Sequence, residues 1–138
     1  MKIKIYITDE GYGPIIRQNA IINEVKNINE KVQFTLQSQS HFKDIKRIIP
    51  GQTYINKFNN IIWHRQSNGS PDIKKINSFF DDYKKRSESF INDEINNVSC
   101  DLIITDFVAE AFQISKETGI PAIGVCHFTW DWFFLKLL

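Results

Sequence analysis

The chain has 138 residues, 42% hydrophobic and 24% charged, which fits one globular domain and excludes a disordered tail. Lys and Arg total 17 against 16 Asp and Glu, so the formal net charge of +1 gives no push toward DNA, RNA or an anionic membrane. Cys100 and Cys126 flank apolar runs and read as small reduced core residues, which fits a cytosolic home. No secretory signal pattern is read at residues 1–8, and no run approaches the roughly 20 apolar residues that span a bilayer.

Ile3, Ile5 and Ile7 alternate with Lys2, Lys4 and Tyr6, so residues 2–8 predict a strand. Thr8 to Pro14 reads as a turn in which Gly11 and Gly13 permit unusual backbone angles and Pro14 suits the first turn of a helix. Ile15, Ala20, Ile21, Ile22 and Val25 carry that helix to about Lys26. Val32, Phe34 and Leu36 mark a second strand, and a short helix over 41–49 closes at Pro50-Gly51. Residues 60–64 read as a strand and 66–71 as a loop. A long amphipathic helix is expected over 72–96, with Pro71 at its start and Ser70 as its cap.

Leu102, Ile103 and Ile104 form a short continuous apolar run, expected of a strand covered on both faces. A helix over 107–118 stops at Gly119, and 121–125 is the next strand. Strand and helix alternate, so the expected fold is α/β, a Rossmann-like and mainly parallel sheet with right-handed crossovers. From Thr129 a new helical run carries Trp130, Trp132, Phe133, Phe134, Leu135, Leu137 and Leu138. So apolar an end is expected to continue into more protein or to dock on a partner or a second copy.

Three places carry candidate chemistry. The first is Asp9-Glu10-Gly11-Tyr12-Gly13, where a strand end meets a helix N-terminus; this is either a ligand loop or a plain tight turn. The full dinucleotide fingerprint is absent, since Ile16 stands at the third glycine position. The second is Asp106, placed to orient a sugar hydroxyl, to act as a base, or to cap the following helix. The third is the segment 126–132, with His127, Trp130 and Asp131. Rings beside a carboxylate suit a sugar subsite, and equally a packing corner with a helix start. His41 and His64 are isolated, and no zinc, Walker A or Gly-x-Ser-x-Gly pattern occurs, so no metal site is expected.

Residues 101–112 (DLIITDFVAEAF), 119–125 (GIPAIGV) and 128–132 (FTWDW) together resemble one group of proteins. These are N-terminal domains of GT-B fold glycosyltransferases related to the peptidoglycan lipid-intermediate GlcNAc transferase, and the similar region of plant L-arabinokinases. Residues 1–20 match more loosely, where the group carries His-Gly-x-Gly-His-x-x-Arg. Gly11, Gly13 and Arg17 fit that motif, while Glu10 and Pro14 replace its histidines and His127 replaces an asparagine. The resemblance implies one GT-B half spanning 1–138, apparently truncated at its C-terminal end, that binds a glycan or lipid-linked acceptor. The nucleotide-sugar donor would bind a separate domain or subunit, with no other cofactor, and the half alone would be inactive. Pro14 cannot exchange a side-chain proton, so either Glu10 or Asp9 would be the base, or no such base is needed, or the chain is no longer an active transferase. Gly11, Gly13, Asp106, His127, Trp130 and Asp131 would line the acceptor cleft. The rival readings are a non-catalytic docking subunit and a degenerate fragment. The expected location is cytoplasmic, with peripheral membrane contact as its variant.

Overall fold

The structure is a computed structural model that describes residues 1–57 and 64–127. Its elements are β1 (Lys2–Ile7), α1 (Gly13–Ile28), β2 (Gln33–Gln37), α2 (Phe42–Ile48), β3 (Thr53–Ile55), α3 (Ile73–Asn97), β4 (Leu102–Asp106), α4 (Glu110–Thr118) and β5 (Ala122–Gly124). The described strands form one parallel sheet in the order β3-β2-β1-β4-β5. This is the Rossmann-like α/β architecture that strand–helix alternation dictates.

The period-2 pattern of β1 sorts its side chains between two cores. Ile3, Ile5 and Ile7 join Phe34, Leu36, Ile15, Ile22, Ile45 and Ile49, so α1 and α2 cover one face. Tyr6 joins Ile103, Phe90, Ile91, Val108, Ala111 and Ile114, so α3 and α4 cover the other. Lys4 points to that second face and is buried, where it forms an ion pair with buried Glu94 of α3. The Tyr6 hydroxyl donates to the same carboxylate at 2.6 Å. Burial first, and then that bond, pushes the Tyr6 phenol well above its ordinary value.

Several expectations need correction. Thr53–Ile55 is a strand that periodicity did not mark, because three residues at a sheet edge carry too little pattern. Of the strand expected over 60–64, residues 60–63 lie outside the described residues, and His64 is not in a strand. Arg65 instead forms an isolated antiparallel bridge with Pro71. The cap of α3 is Asp72, whose carboxylate accepts from the Lys75 amide at 3.1 Å, rather than Ser70. β5 is a half-covered edge strand: Ile123 is 51% exposed, and the Phe112 ring lies against Gly124. Cys126 is exposed rather than in the core, and both cysteines are free thiols. The apolar run from Thr129 lies outside the described residues.

The candidate ligand edge of the sheet

β1 and β4 are paired so that Ile7 stands beside Asp106, and the Thr8 amide donates to the Asp106 carbonyl at 3.0 Å. Strand order reverses between these two strands. In an open parallel sheet, ligands bind outside the carboxyl ends of the strands at such a reversal.

Asp106 is fully buried at that point. Its Oδ1 accepts from Arg17 Nη2 at 2.7 Å, and its Oδ2 from Arg17 Nε at 3.0 Å and Gln18 Nε2 at 2.9 Å. The carboxylate is therefore held by a bidentate guanidinium and an amide. It does not cap α4, which begins at Glu110 after Ala109, three residues later than the sequence predicts. Between them, Phe107 adopts φ 65°, and Thr105 Oγ1 accepts from the Val108 amide at 3.2 Å, turning the chain. That left-handed phenylalanine is uncommon backbone, held by a buried turn. The hydrogen bonds to Asp106 push the Arg17 guanidinium above its ordinary value, so it remains charged.

Arg17 reaches further. Its Nη1 donates to His127 Nε2 at 2.8 Å, linking the end of β4 to the residues after β5. Because that ring nitrogen accepts, a neutral His127 carries its proton on Nδ1.

Asp9 holds two loops together. Its Oδ1 accepts from Ser38 Oγ at 2.6 Å and from the amides of Gln39 and Ser40 at 3.1 and 2.9 Å. Its carbonyl accepts from His41 Nε2 at 3.0 Å. Asp9 is thus the fastener between the β1–α1 and β2–α2 connections. Glu10 is half-buried beside it. Gly11 adopts φ 75°, a left-handed angle glycine takes without steric cost. Tyr12 starts α1 with no side-chain cap, Gly13 is its first helical residue, and Pro14 is buried in its first turn.

The structure therefore brings Asp106 and His127 together through Arg17 and places Asp9, Glu10, Gly11 and Gly13 on the neighbouring loop. Trp130 and Asp131 lie outside the described residues. The sequence reading passed over Gln18 and gave Arg17 no role beyond a motif match. The signal for Gln18 was present: it sits three residues after Ile15 and four before Ile22, on the buried stripe of α1. A polar residue on such a stripe needs a partner, and Asp106 is that partner.

Among the described residues no group of three or more His, Cys, Asp and Glu side chains could hold a metal ion. No described helix is long and apolar enough to cross a membrane. A cavity of about 670 Å³ opens at the opposite part of the sheet, lined by Lys4, Thr35, Thr53, Asn97 and Cys100 among others. It touches none of the candidate residues and lies at the amino-terminal ends of β1 and β2, reaching Ile55 of the edge strand β3.

No family model matches the chain, and no curated protein matches it in sequence. The fold is shared with a solved structure. The glycotransferase of kitacinnamycin superposes over 99% of this chain with a TM-score of 0.64 at 12% identity. The C-terminal domain of the PF1911 hydrogenase from Pyrococcus furiosus matches 90% of each chain with a TM-score of 0.49 at 13% identity. The chain spans 33% of the glycotransferase it matches. At that identity the likeness shows a glycosyltransferase-like, Rossmann-like fold.

Proposed function

We propose that the chain is the acceptor-binding part of a nucleotide-sugar-dependent glycosyltransferase that works without a metal. The observation that carries the reading is the Asp106–Arg17–His127 chain at the strand-order reversal, on a fold shared with a glycosyltransferase. Gly11, Gly13 and His127 line the acceptor side of a cleft, with Asp106 buried behind Arg17. The donor nucleotide-sugar binds a domain or subunit that supplies the opposite wall. Transfer needs donor and acceptor held at about 3–3.5 Å, which one wall cannot do, so the chain alone is inactive.

Asp106 enters as a positioning residue: its oxygens already accept three hydrogen bonds, so it holds Arg17 rather than taking a proton from the acceptor. Glu10 is the stronger candidate for the base, since Asp9 Oδ1 is occupied in fastening the 38–40 loop.

A second reading, a non-catalytic binding or docking subunit, is favoured by one observation. Pro14 is buried at the turn where the enzymes that the sequence resembles carry a histidine, so that position offers no proton acceptor. A transfer assay separates the two. The purified chain is incubated with labelled nucleotide-sugars and glycan or lipid-linked acceptors, alone and with a donor-binding partner domain. The transferase reading expects no turnover alone and turnover with the partner that falls at least about tenfold in Glu10→Gln. Turnover with the partner that Glu10→Gln leaves unchanged removes the assigned base. Absence of turnover with every partner leaves the docking reading.

A further inference from the structure

We propose that Arg17 and His127 form an oxyanion clamp, held in place by Asp106, that reads a phosphate or carboxylate group on the acceptor. The inference rests on the acceptor-site reading above and adds the chemical class of the group recognised there.

The argument is a count of donors and acceptors. Arg17 has five N–H donors. Nε and one N–H of Nη2 go to Asp106, and one N–H of Nη1 goes to His127. Among the described residues, one N–H on each terminal nitrogen remains without a partner, and the side chain is 21% exposed. Asp106 accepts on both oxygens and is fully buried, so it presents no lone pair to the crevice. His127 is exposed, and with its Nε2 accepting from Arg17 its remaining ring nitrogen, Nδ1, carries the N–H donor. The polar atoms that this trio offers a ligand are all donors. A hydroxyl group, which must both give and take, is poorly matched to such a set, while an oxyanion accepts from every member.

Two further features fit. The N-terminus of α1 faces the same edge, with no side-chain cap and no acidic residue in its first turn, so its dipole favours negative charge there. The bidentate grip of Asp106 removes the rotamer freedom of Arg17 before a ligand arrives, which lowers the entropic cost of binding. Glu10 on the neighbouring loop repels an anion, so the oxyanion sits toward the β4–β5 side and leaves the rest of the acceptor to the Gly11–Gly13 turn.

The test is an NMR titration of the full isotope-labelled chain, following the Arg17 Nε–H signal, the His127 ring and the backbone amides. The probes are inorganic phosphate, acetate and a neutral methyl glycoside, with sodium chloride at matched ionic strength as the control. Phosphate or acetate is expected to shift Arg17 and His127 saturably where chloride does not; whichever binds more tightly names the source of the oxyanion. His127→Gln, at an exposed position, is expected to weaken that binding several-fold, and Arg17→Gln at least about tenfold. Because Arg17→Gln strands a buried carboxylate, the double variant Arg17→Gln/Asp106→Asn, which removes both charges, is run beside it and must show the same loss. Anion binding that survives both Arg17 variants, or absence of any saturable shift at Arg17 and His127, overturns the clamp. If the glycoside still shifts Gly11 and Gly13 in that case, the acceptor-site reading stands without it; if it shifts neither, both fail.

Discussion

Arg17 and Asp106 lie 89 positions apart in the chain, yet the guanidinium of one closes on the carboxylate of the other through bonds of 2.7 and 3.0 Å. The contact ties the second turn of α1 to the end of β4 and fixes the geometry of the candidate edge. Removing one partner of a buried pair leaves an uncompensated charge, which costs on the order of 3–5 kcal/mol. Arg17→Ala, which leaves the fully buried Asp106 carboxylate with Gln18 alone, is expected to fall in that range by urea unfolding. Asp106→Ala should cost less, because the guanidinium it strands is 21% exposed and keeps its bond to His127. The double variant should cost less than the sum of the two singles. Additive costs would mean the pair is not coupled.

The Lys4–Glu94–Tyr6 cluster beneath α3 offers an independent stability test. Glu94→Ala is expected to destabilise by about 3–5 kcal/mol, since it leaves the Lys4 ammonium buried against the sheet. Lys4→Met combined with Glu94→Leu and Tyr6→Phe should lie within about 1–2 kcal/mol of the parent, because apolar groups of similar volume replace both desolvated charges and the hydroxyl bonded to them. Equal losses in the single and the triple variant would contradict this account of α3 docking.

Alkaline pH should erode stability through Tyr6 and Tyr83. Burial first, then the contacts with Glu94 and Glu110, raise both phenols above the ordinary value of about 10. Above that pH the unfolded chain releases protons that the native chain keeps, so unfolding becomes easier as pH rises, by about 1.4 kcal/mol per pH unit for each such group. The contribution is intact below about pH 10. Urea midpoints measured across this range should fall, and the fall should be shallower in Tyr6→Phe by about the share of one group. Identical pH slopes for parent and variant would exclude a protected phenol at Tyr6.

Asp9 separates an anchor from a base. Asp9→Ala removes the acceptor of three bonds from residues 38–40, and a loss of about 2–3 kcal/mol is expected, with faster amide exchange at Gln39 and Ser40. Unchanged exchange at those amides would show that the loop is held by other contacts.

The fold was legible where periodicity is strong. The alternation of residues 2–7, the helical stripe after Gly13 and the apolar run at 102–104 each found their elements. β3 and the true start of α4 were not legible. A three-residue edge strand has no period to read, and the Thr105–Val108 turn depends on a side chain folding back on its own backbone. The site was half legible. Asp106 was singled out for its place at a strand end, but its partners, and that it does not cap α4, were not legible, because only the tertiary structure shows Arg17 and Gln18 converging on it. Asp9 was read as a candidate base for the same reason: its partners at 38–40 follow a different strand.

The acceptor site itself is tested most directly by titrating the labelled chain with a panel of acceptor glycans and mapping the backbone amide shifts. Saturable shifts are expected at Gly11, Gly13, Asp106 and His127, the residues around the β1–β4 reversal, with little change along the 670 Å³ cavity near Lys4, Thr35 and Thr53. Saturable shifts confined to that cavity, with the β1 and β4 ends unmoved, would contradict the site.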